Sequence, residues 1–179
     1  MDFTLEFILH FLATMMLSVI LTPLVKLLAF QVGAVDYPGK RRINQKVMPT
    51  IGGLAIFIAF AIGSIWQFHE YLFMKKVWAI LLGALIVVIT GFIDDRKELS
   101  PLQKSIGLFI AALEIYFVAG LKMDTISIPF IGMFHLGWLS FPVTIIWIFA
   151  ITNAVNLIDG LDGLASGVSM IALSTIGIV

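Results

Sequence analysis

Val77-Trp78-Ala79-Ile80-Leu81-Leu82-Gly83-Ala84-Leu85-Ile86-Val87-Val88-Ile89-Thr90-Gly91-Phe92-Ile93 contains no charged residue, and Asp94-Asp95-Arg96-Lys97 follows it directly. A helix needs about 20 apolar residues to cross the hydrocarbon core of a bilayer, with a working range of about 17 to 25. The run therefore reads as a membrane span that delivers two adjacent acids to its mouth. Five more runs lie on either side of it, at 5–30, 51–68, 105–121, 139–153 and 164–179. They are apolar all round rather than striped, as lipid-embedded helices are. Helices buried inside a large soluble protein would show the same runs. The chain, however, is 60% hydrophobic and 12% charged over 179 residues, too little polar sequence to coat such a core. The expected fold is all-α and integral to the membrane, with six transmembrane helices.

Composition excludes several classes. A mean hydropathy of +1.08 is incompatible with a disordered or collagen-like chain. Eleven Lys and Arg against eleven Asp and Glu leave no basic field to hold a nucleic acid. The absence of cysteine removes disulfides, thiolate metal sites and thiol nucleophiles.

Charge sits almost entirely in the connectors. With the 31–50 connector inside, Lys26, Lys40, Arg41, Arg42, Lys46, Arg96, Lys97 and Lys104 share one side, and only Lys75, Lys76 and Lys122 share the other. The positive-inside rule then places the N-terminus outside. Asp2 and Glu6 agree, because a signal peptide would open with basic residues. Pro23 should kink or interrupt the first span, and Pro49 should sit in the first turn of the second. The 122–138 connector, with Ile126, Ile128, Pro129, Gly132 and Gly137, suits a small hairpin whose Phe134, His135 and Trp138 anchor at headgroups. The last run ends at Val179 without a polar cap or a basic anchor, the pattern expected of the N-terminal part of a longer single-domain protein.

Three polar clusters fall on the side read as cytoplasmic. The first, Asp36-Tyr37-Pro38-Gly39-Lys40-Arg41-Arg42 with Pro49-Thr50-Ile51-Gly52-Gly53, offers cations for phosphate and glycines that admit a ligand close to the backbone. The same cations would also serve merely to set topology at anionic headgroups. The second is Asp94-Asp95-Arg96 with Lys104. Adjacent carboxylates repel unless a divalent cation or a basic side chain offsets them, and pairing with Arg96, Lys97 or Lys104 as plain loop charges is the bland alternative. The third is Asn153-Ala154-Val155-Asn156-Leu157-Ile158-Asp159-Gly160-Leu161-Asp162-Gly163. Asn153, Asn156, Asp159 and Asp162 recur every third residue, so a fifth helix continuing through them would carry all four on one slowly drifting face. Polar residues at this density beside a membrane are expensive, and a simple turn needs only one or two. Oxygen donors, cations and an apolar surround together fit phosphoryl transfer between a water-soluble nucleotide substrate and a lipid acceptor.

At these residues the chain resembles the polyprenyl-phosphate N-acetylhexosamine 1-phosphate transferases, integral membrane enzymes of bacterial envelope synthesis. The motifs run in family order: Asp36-x-Pro38 with Arg41-Arg42, Pro49-Thr50-Ile51-Gly52-Gly53, Gly91-Phe92-Ile93-Asp94-Asp95, and Asn153 through Leu164. The resemblance implies a multi-pass plasma-membrane enzyme with a cytoplasmic active site. It would move a sugar 1-phosphate from a UDP-sugar to undecaprenyl phosphate, release UMP and require Mg²⁺, with Mn²⁺ as a substitute. It further implies that Asp94, Asp95 and Asp159 are catalytic and metal-binding, and that Asn156, Gly160, Leu161 and Asp162 line the nucleotide pocket. Lys104 matches a basic position after the aspartate pair, and Lys46 a nucleotide-side lysine. The Asp-x-Pro opening resembles the UDP-N-acetylglucosamine branch, which feeds teichoic acid and other surface glycans, more than the phospho-N-acetylmuramoyl-pentapeptide branch. Members of the family continue through further spans with another aspartate and a histidine-rich loop, which His10, His69 and His135 do not replace, so the 179 residues alone are expected to be inactive. A homodimer is compatible with this reading. Two other classes stand beside it: a transporter or cation pathway using Asp159, Asp162 and mid-span Glu114, and a catalytically silent remnant.

Overall fold

A computed structural model describes residues 3–38, 46–69, 74–128, 130, 132–159 and 163–178. Six α-helices are found among them: α1 (Phe3–Val32), α2 (Gly52–Gln67), α3 (Lys75–Lys97), α4 (Pro101–Phe117), α5 (Ser140–Ile158) and α6 (Leu164–Ile178). Each expected span has its helix. By length and composition α1, α3 and the segment Gly137–Ile158, which contains α5, are able to cross a membrane, while α2 and α6 are shorter apolar helices. Two small antiparallel ladders complete the inventory. β1 (Val35–Asp36) pairs with β2 (Met48–Pro49), and β3 (Thr125–Ile128) pairs with β4 (Gly132–His135). The chain divides into two compact units, Met1–Gly120 and Leu121–Val179.

Burial is inverted relative to a water-soluble domain. The buried residues are mostly small, among them Ala29, Ala55, Ala59, Ala79, Ala111 and Ala112, whereas Val19, Leu27, Ile56, Ile146, Trp147 and Met170 point outward. Lipid tails are as apolar as leucine, so large side chains gain nothing by leaving them, and small residues let helix backbones approach. The first unit shows this at two seams. Along α1 and α2, a Cβ built on Gly63 would run into Thr14 Oγ1 and come within 2.9 Å of Thr14 Cγ2. Along α3 and α4, one built on Gly107 would run into Thr90 Oγ1 and come within 2.6 Å of Thr90 Cγ2.

The proline at 23 does not interrupt its helix, and the expectation for Pro49 is corrected. Pro23 lies inside α1, which continues through it to Val32. Thr22 Oγ1 donates to Ser18 O at 2.8 Å just before it, and the helix ends at Gly33, whose φ of +73° suits glycine. Pro49 belongs to β2 rather than to α2. There it pairs with Val35, while Thr50 N and Thr50 Oγ1 both donate to Ala34 O, at 3.1 and 3.0 Å. That clasp closes the base of the first connector. Beneath it Val25, Ala29, Ala34, Ile51 and Ala55 form a cluster against which Leu21, Val32, Leu54 and Phe92 pack.

In the second unit the expected hairpin is present as β3 and β4, and its base is tied to α5. Met123 N donates to Thr144 Oγ1 at 2.9 Å, Thr144 Oγ1 to Ser140 O at 2.7 Å, and Ser140 Oγ to Asp124 Oδ1 at 3.1 Å. The buried hydroxyls of Ser140 and Thr144 thereby find partners in one backbone N–H, one carbonyl and one carboxylate.

The Gly63 and Thr14 contact yields a stability test. A β-branched side chain in a helix has little rotamer freedom, so Thr14 cannot swing away from an added methyl. Gly63→Ala should lower stability by about 1 to 3 kcal/mol, and Thr14→Ala in the same chain should recover most of the loss, read from thermal unfolding in detergent.

Candidate functional site

The acids of the second cluster are built into the turn between α3 and α4. Arg96 and Lys97 occupy the last turn of α3, where cations favour the negative helix end. Glu98 then adopts a left-handed conformation with φ 47°, and its N–H donates to Asp94 O at 2.8 Å. The next N–H, that of Leu99, donates to Asp94 Oδ1 at 3.0 Å. α4 opens with a capping box: Gln103 N donates to Ser100 Oγ at 3.3 Å and Ser100 N to Gln103 Oε1 at 3.0 Å, with Pro101 in the first turn. One helical turn on, Lys104 Nζ meets Asp94 Oδ2 at 2.6 Å. Both side chains are about one-fifth exposed, so salt screens the pair less than it would a surface one.

Asp94 is thus held on both oxygens, each of which keeps a further lone pair for a ligand. Asp95 is exposed beside it. The bland pairing weighed from sequence is realised in one particular form, since the partner of Asp94 is Lys104 across the turn. Lys46 lies exposed before β2, at the clasp that closes the first connector. α2 begins without a side-chain cap, and positions where Cβ atoms of Gly52 and Gly53 would stand meet nothing within 4 Å. Leu54 N donates to Ile51 O at 3.1 Å, and no side chain caps the N–H groups of Gly52 and Gly53 before it.

In the second unit the repeating face is shorter than expected. α5 ends at Ile158 and Asp159 is its C-cap, so Asp159 closes the helix rather than continuing it. Asn153 Nδ2 donates to Phe149 O at 2.9 Å, which turns that amide to its own helix, while Asn156 and Asp159 are exposed. Gly160, Leu161 and Asp162 lie outside the described residues, as do Lys40, Arg41 and Arg42. Gly163, at φ +78°, leads into α6.

Within either unit, the described residues hold no group of three or more His, Asp or Glu side chains suited to one metal ion. Mg²⁺ is ordinarily held by one or two carboxylates together with substrate phosphates and water. The hard oxygens of Asp94, Asp95 and Asp159 are donors of that kind. The histidines contribute nothing to such a set. His10 Nδ1 donates to Glu6 O and its ring tilts against Trp66 at 4.4 Å, and His69 Nδ1 donates to Trp66 O.

A cavity of about 680 Å³ lies elsewhere. It is lined by Phe7, Phe60, Phe68, Met74, Ile80 and Leu81 among others, at the end of α3 opposite Asp94. Glu114, the mid-span acid that a cation pathway would use, does not line it. That carboxyl packs against Gly83 inside the α3–α4 seam, and neither of its oxygens has a hydrogen-bond partner among the described residues. Sequence reasoning missed the seam glycines, Gly63, Gly83 and Gly107. The spacing of Thr90 and Asp94 on one helix and Lys104 and Gly107 on the next was the available signal.

The family model for glycosyl transferase family 4 matches residues 77–179. Over 172 residues the chain is 44% identical to a probable undecaprenyl-phosphate N-acetylglucosaminyl 1-phosphate transferase of Bacillus subtilis, covering 94% of this chain and 47% of that protein. It is 31% identical over 187 residues to a phospho-N-acetylmuramoyl-pentapeptide-transferase of Halalkalibacterium halodurans, covering 98% and 58%. It is also 31% identical over 157 residues to a decaprenyl-phosphate N-acetylglucosaminephosphotransferase of Mycobacterium tuberculosis, covering 82% and 38%. The chain spans about half the length of the curated relatives it matches. No solved structure matches it.

The capping box makes the turn testable without touching the acids. Ser100→Ala should cost about 1 kcal/mol of local stability, seen in hydrogen exchange as faster opening of the backbone amides from Leu99 through Lys104 and no change in α1.

Proposed function

The chain belongs to glycosyl transferase family 4, and from that premise we propose that the full-length protein transfers N-acetylglucosamine 1-phosphate from UDP-N-acetylglucosamine to undecaprenyl phosphate. The observation that carries the reading is the ion-paired Asp94 with Asp95 beside it at the end of a membrane-length helix. That arrangement brings charge for phosphates to the edge of an apolar span, where a lipid phosphate and a soluble nucleotide can both reach. N-acetylglucosamine is favoured over the muramoyl-pentapeptide because the named glucosaminyl relative is 44% identical and the named pentapeptide relative 31%.

In the reaction an oxygen of the lipid phosphate attacks the phosphorus that bears the sugar. A new P–O bond forms, the bond to the UMP oxygen breaks, and the lipid keeps a sugar diphosphate. Positioning and charge neutralisation make up most of such catalysis. Lys104, steered by Asp94, presents its ammonium to a substrate phosphate. Asp94 or Asp95 takes a proton from the acceptor phosphate when it arrives protonated. Asp159 and Asn156 contact the nucleotide side, joined by Gly160, Leu161 and Asp162, and Lys46 adds a cation there. Asp94, Asp95 and Asp159 are the residues that would hold Mg²⁺, which supplies charge neutralisation for the diphosphate when bound. All six helices span the membrane in this reading, with the N-terminus outside, the three clusters on the cytoplasmic face, and the product entering surface glycan synthesis such as that of teichoic acid.

The test is UMP release by the purified full-length protein in detergent or nanodiscs. Release should require UDP-N-acetylglucosamine and undecaprenyl phosphate together, stop with EDTA and resume with Mg²⁺. Asp94→Asn, Asp95→Asn and Asp159→Asn should each slow turnover about 10²-fold or more, the scale of a lost transition-state contact. A folded full-length protein without transfer, or an Asp159→Asn variant that turns over like its parent, would overturn the reading.

A further inference from the structure

α3 and α4 run antiparallel from a three-residue turn, and their contacts fall at matched steps. Lys104 stands against Asp94, Gly107 against Thr90, and Glu114 against Gly83. Moving away from the turn, α3 steps back by four residues and then seven, while α4 steps forward by three and then seven. Steps of three, four and seven keep one face of each helix on the seam. The two glycines lie on opposite helices. Near the turn the hollow is on α4 and the filling side chain on α3; farther away the hollow is on α3 and the filling side chains, Glu114 and Ile115, are on α4.

The two hollows differ in how they would respond to a methyl group. At Gly83 an added Cβ meets Ile115 Cδ1 at 2.6 Å and Glu114 Oε2 at 2.8 Å, both ends of flexible side chains. At Gly107 it meets Thr90, which is buried, β-branched and tied through Oγ1 to Ile86 O at 2.8 Å. As a β-branched residue whose hydroxyl is held by its own helix, Thr90 has little rotamer freedom with which to retreat. Only displacement of α4 from α3 would make room, one turn away from the place where Lys104 reaches Asp94. An ion pair at 2.6 Å has no slack for such a shift.

We propose that Thr90 and Gly107 are positioning residues that set the register of α4 on α3 and thereby hold the Lys104 ammonium on Asp94 for the reaction. The activity consequence rests on the transferase reading above; the register consequence does not. The same spacing places Val87 opposite Ala111 in the middle of the seam, and the chain has no cysteine of its own. A cysteine pair at 87 and 111, in full-length protein lacking other cysteines, therefore reports register independently of turnover.

Four chains are compared: the parent, Gly107→Ala, Thr90→Ala with Gly107→Ala, and Gly83→Ala. Each is made with and without the cysteine pair. Gly107→Ala should lose the 87–111 cross-link, and its kcat should fall about 10²-fold, the scale of an ångström-sized misplacement, with KM for the UDP-sugar changed little. Adding Thr90→Ala should restore both cross-link and kcat. Gly83→Ala puts the same methyl into the same seam and should resemble the parent in both. The proposal is overturned if Gly107→Ala keeps the cross-link and the parental kcat, or if Thr90→Ala fails to rescue either. Should Gly107→Ala not fold, the double variant decides: folded with parental cross-link it supports the exchange of space, and without it the proposal fails. If the parent itself shows no turnover, the transferase reading fails while the cross-link still settles the register.

Discussion

Helices immersed in lipid have no hydrophobic reason to associate, because every face is already in an apolar medium. Whatever holds this chain together must come from close backbone approach and from polar groups that find each other. Both seams of the first unit meet that constraint in the same way, with a threonine of one helix laid on a glycine of another: Thr14 on Gly63 and Thr90 on Gly107. Threonine suits the task because its hydroxyl can be spent on its own helix, as Thr90 spends it on Ile86 O, leaving a stiff methyl-bearing branch to pack. The second unit uses hydroxyls differently. Thr144 and Ser140 tie the base of a hairpin to α5 through backbone and carboxylate partners.

The polar site is a consequence of this packing. Asp94 lies near the end of a membrane-length helix, accepts the Leu99 amide and meets Lys104, so by Ser100 the chain has reversed and capped a new helix. The carboxylate therefore has two duties, one local and one chemical. As a helix-terminating group it captures backbone donors near the turn; as a charged group it keeps an ammonium at the edge of the apolar layer. The cavity at the far end of α3 is lined mostly by Phe, Met, Ile and Leu, with Lys76 among its lining residues and no carboxylate, and suits hydrocarbon rather than a nucleotide.

What could be read from residue order alone depended on how local the determining physics was. Run lengths located all six helices, because a long apolar run is a property of one segment by itself. The alternation of Ile126 and Ile128 with nearby glycines located the hairpin for the same reason. Pro23 does not break α1, and Pro49 does not open α2. A helix embedded among neighbours tolerates a missing N–H that an isolated one would not, and Pro49 was drawn into a ladder with Val35, fourteen residues earlier. The period of three from Asn153 was real in sequence but stopped at Asp159, where α5 ends. The glycines that attracted notice, Gly52 and Gly53, stand in open space, whereas Gly63 and Gly107 are the crowded ones. Crowding is a property of two helices together, and no single stretch of sequence announces it.

The brevity of the Glu98–Ser100 connection also bears on how this region can change over evolutionary time. Each residue in an α-helix advances about 100° around its axis. One residue inserted between Asp94 and Lys104 would carry the lysine a quarter turn or more off the seam and set a large side chain where Gly107 now admits Thr90. An insertion in this turn would therefore be costly, though residue identity at exposed Leu102 is comparatively free. The β3–β4 hairpin tip is under no such geometric bookkeeping, since a longer loop there leaves the ladder register from Thr125 to His135 intact. The site thus sits in a segment whose spacing is more tightly constrained by geometry than its composition, while the hairpin of the other unit is free of that constraint.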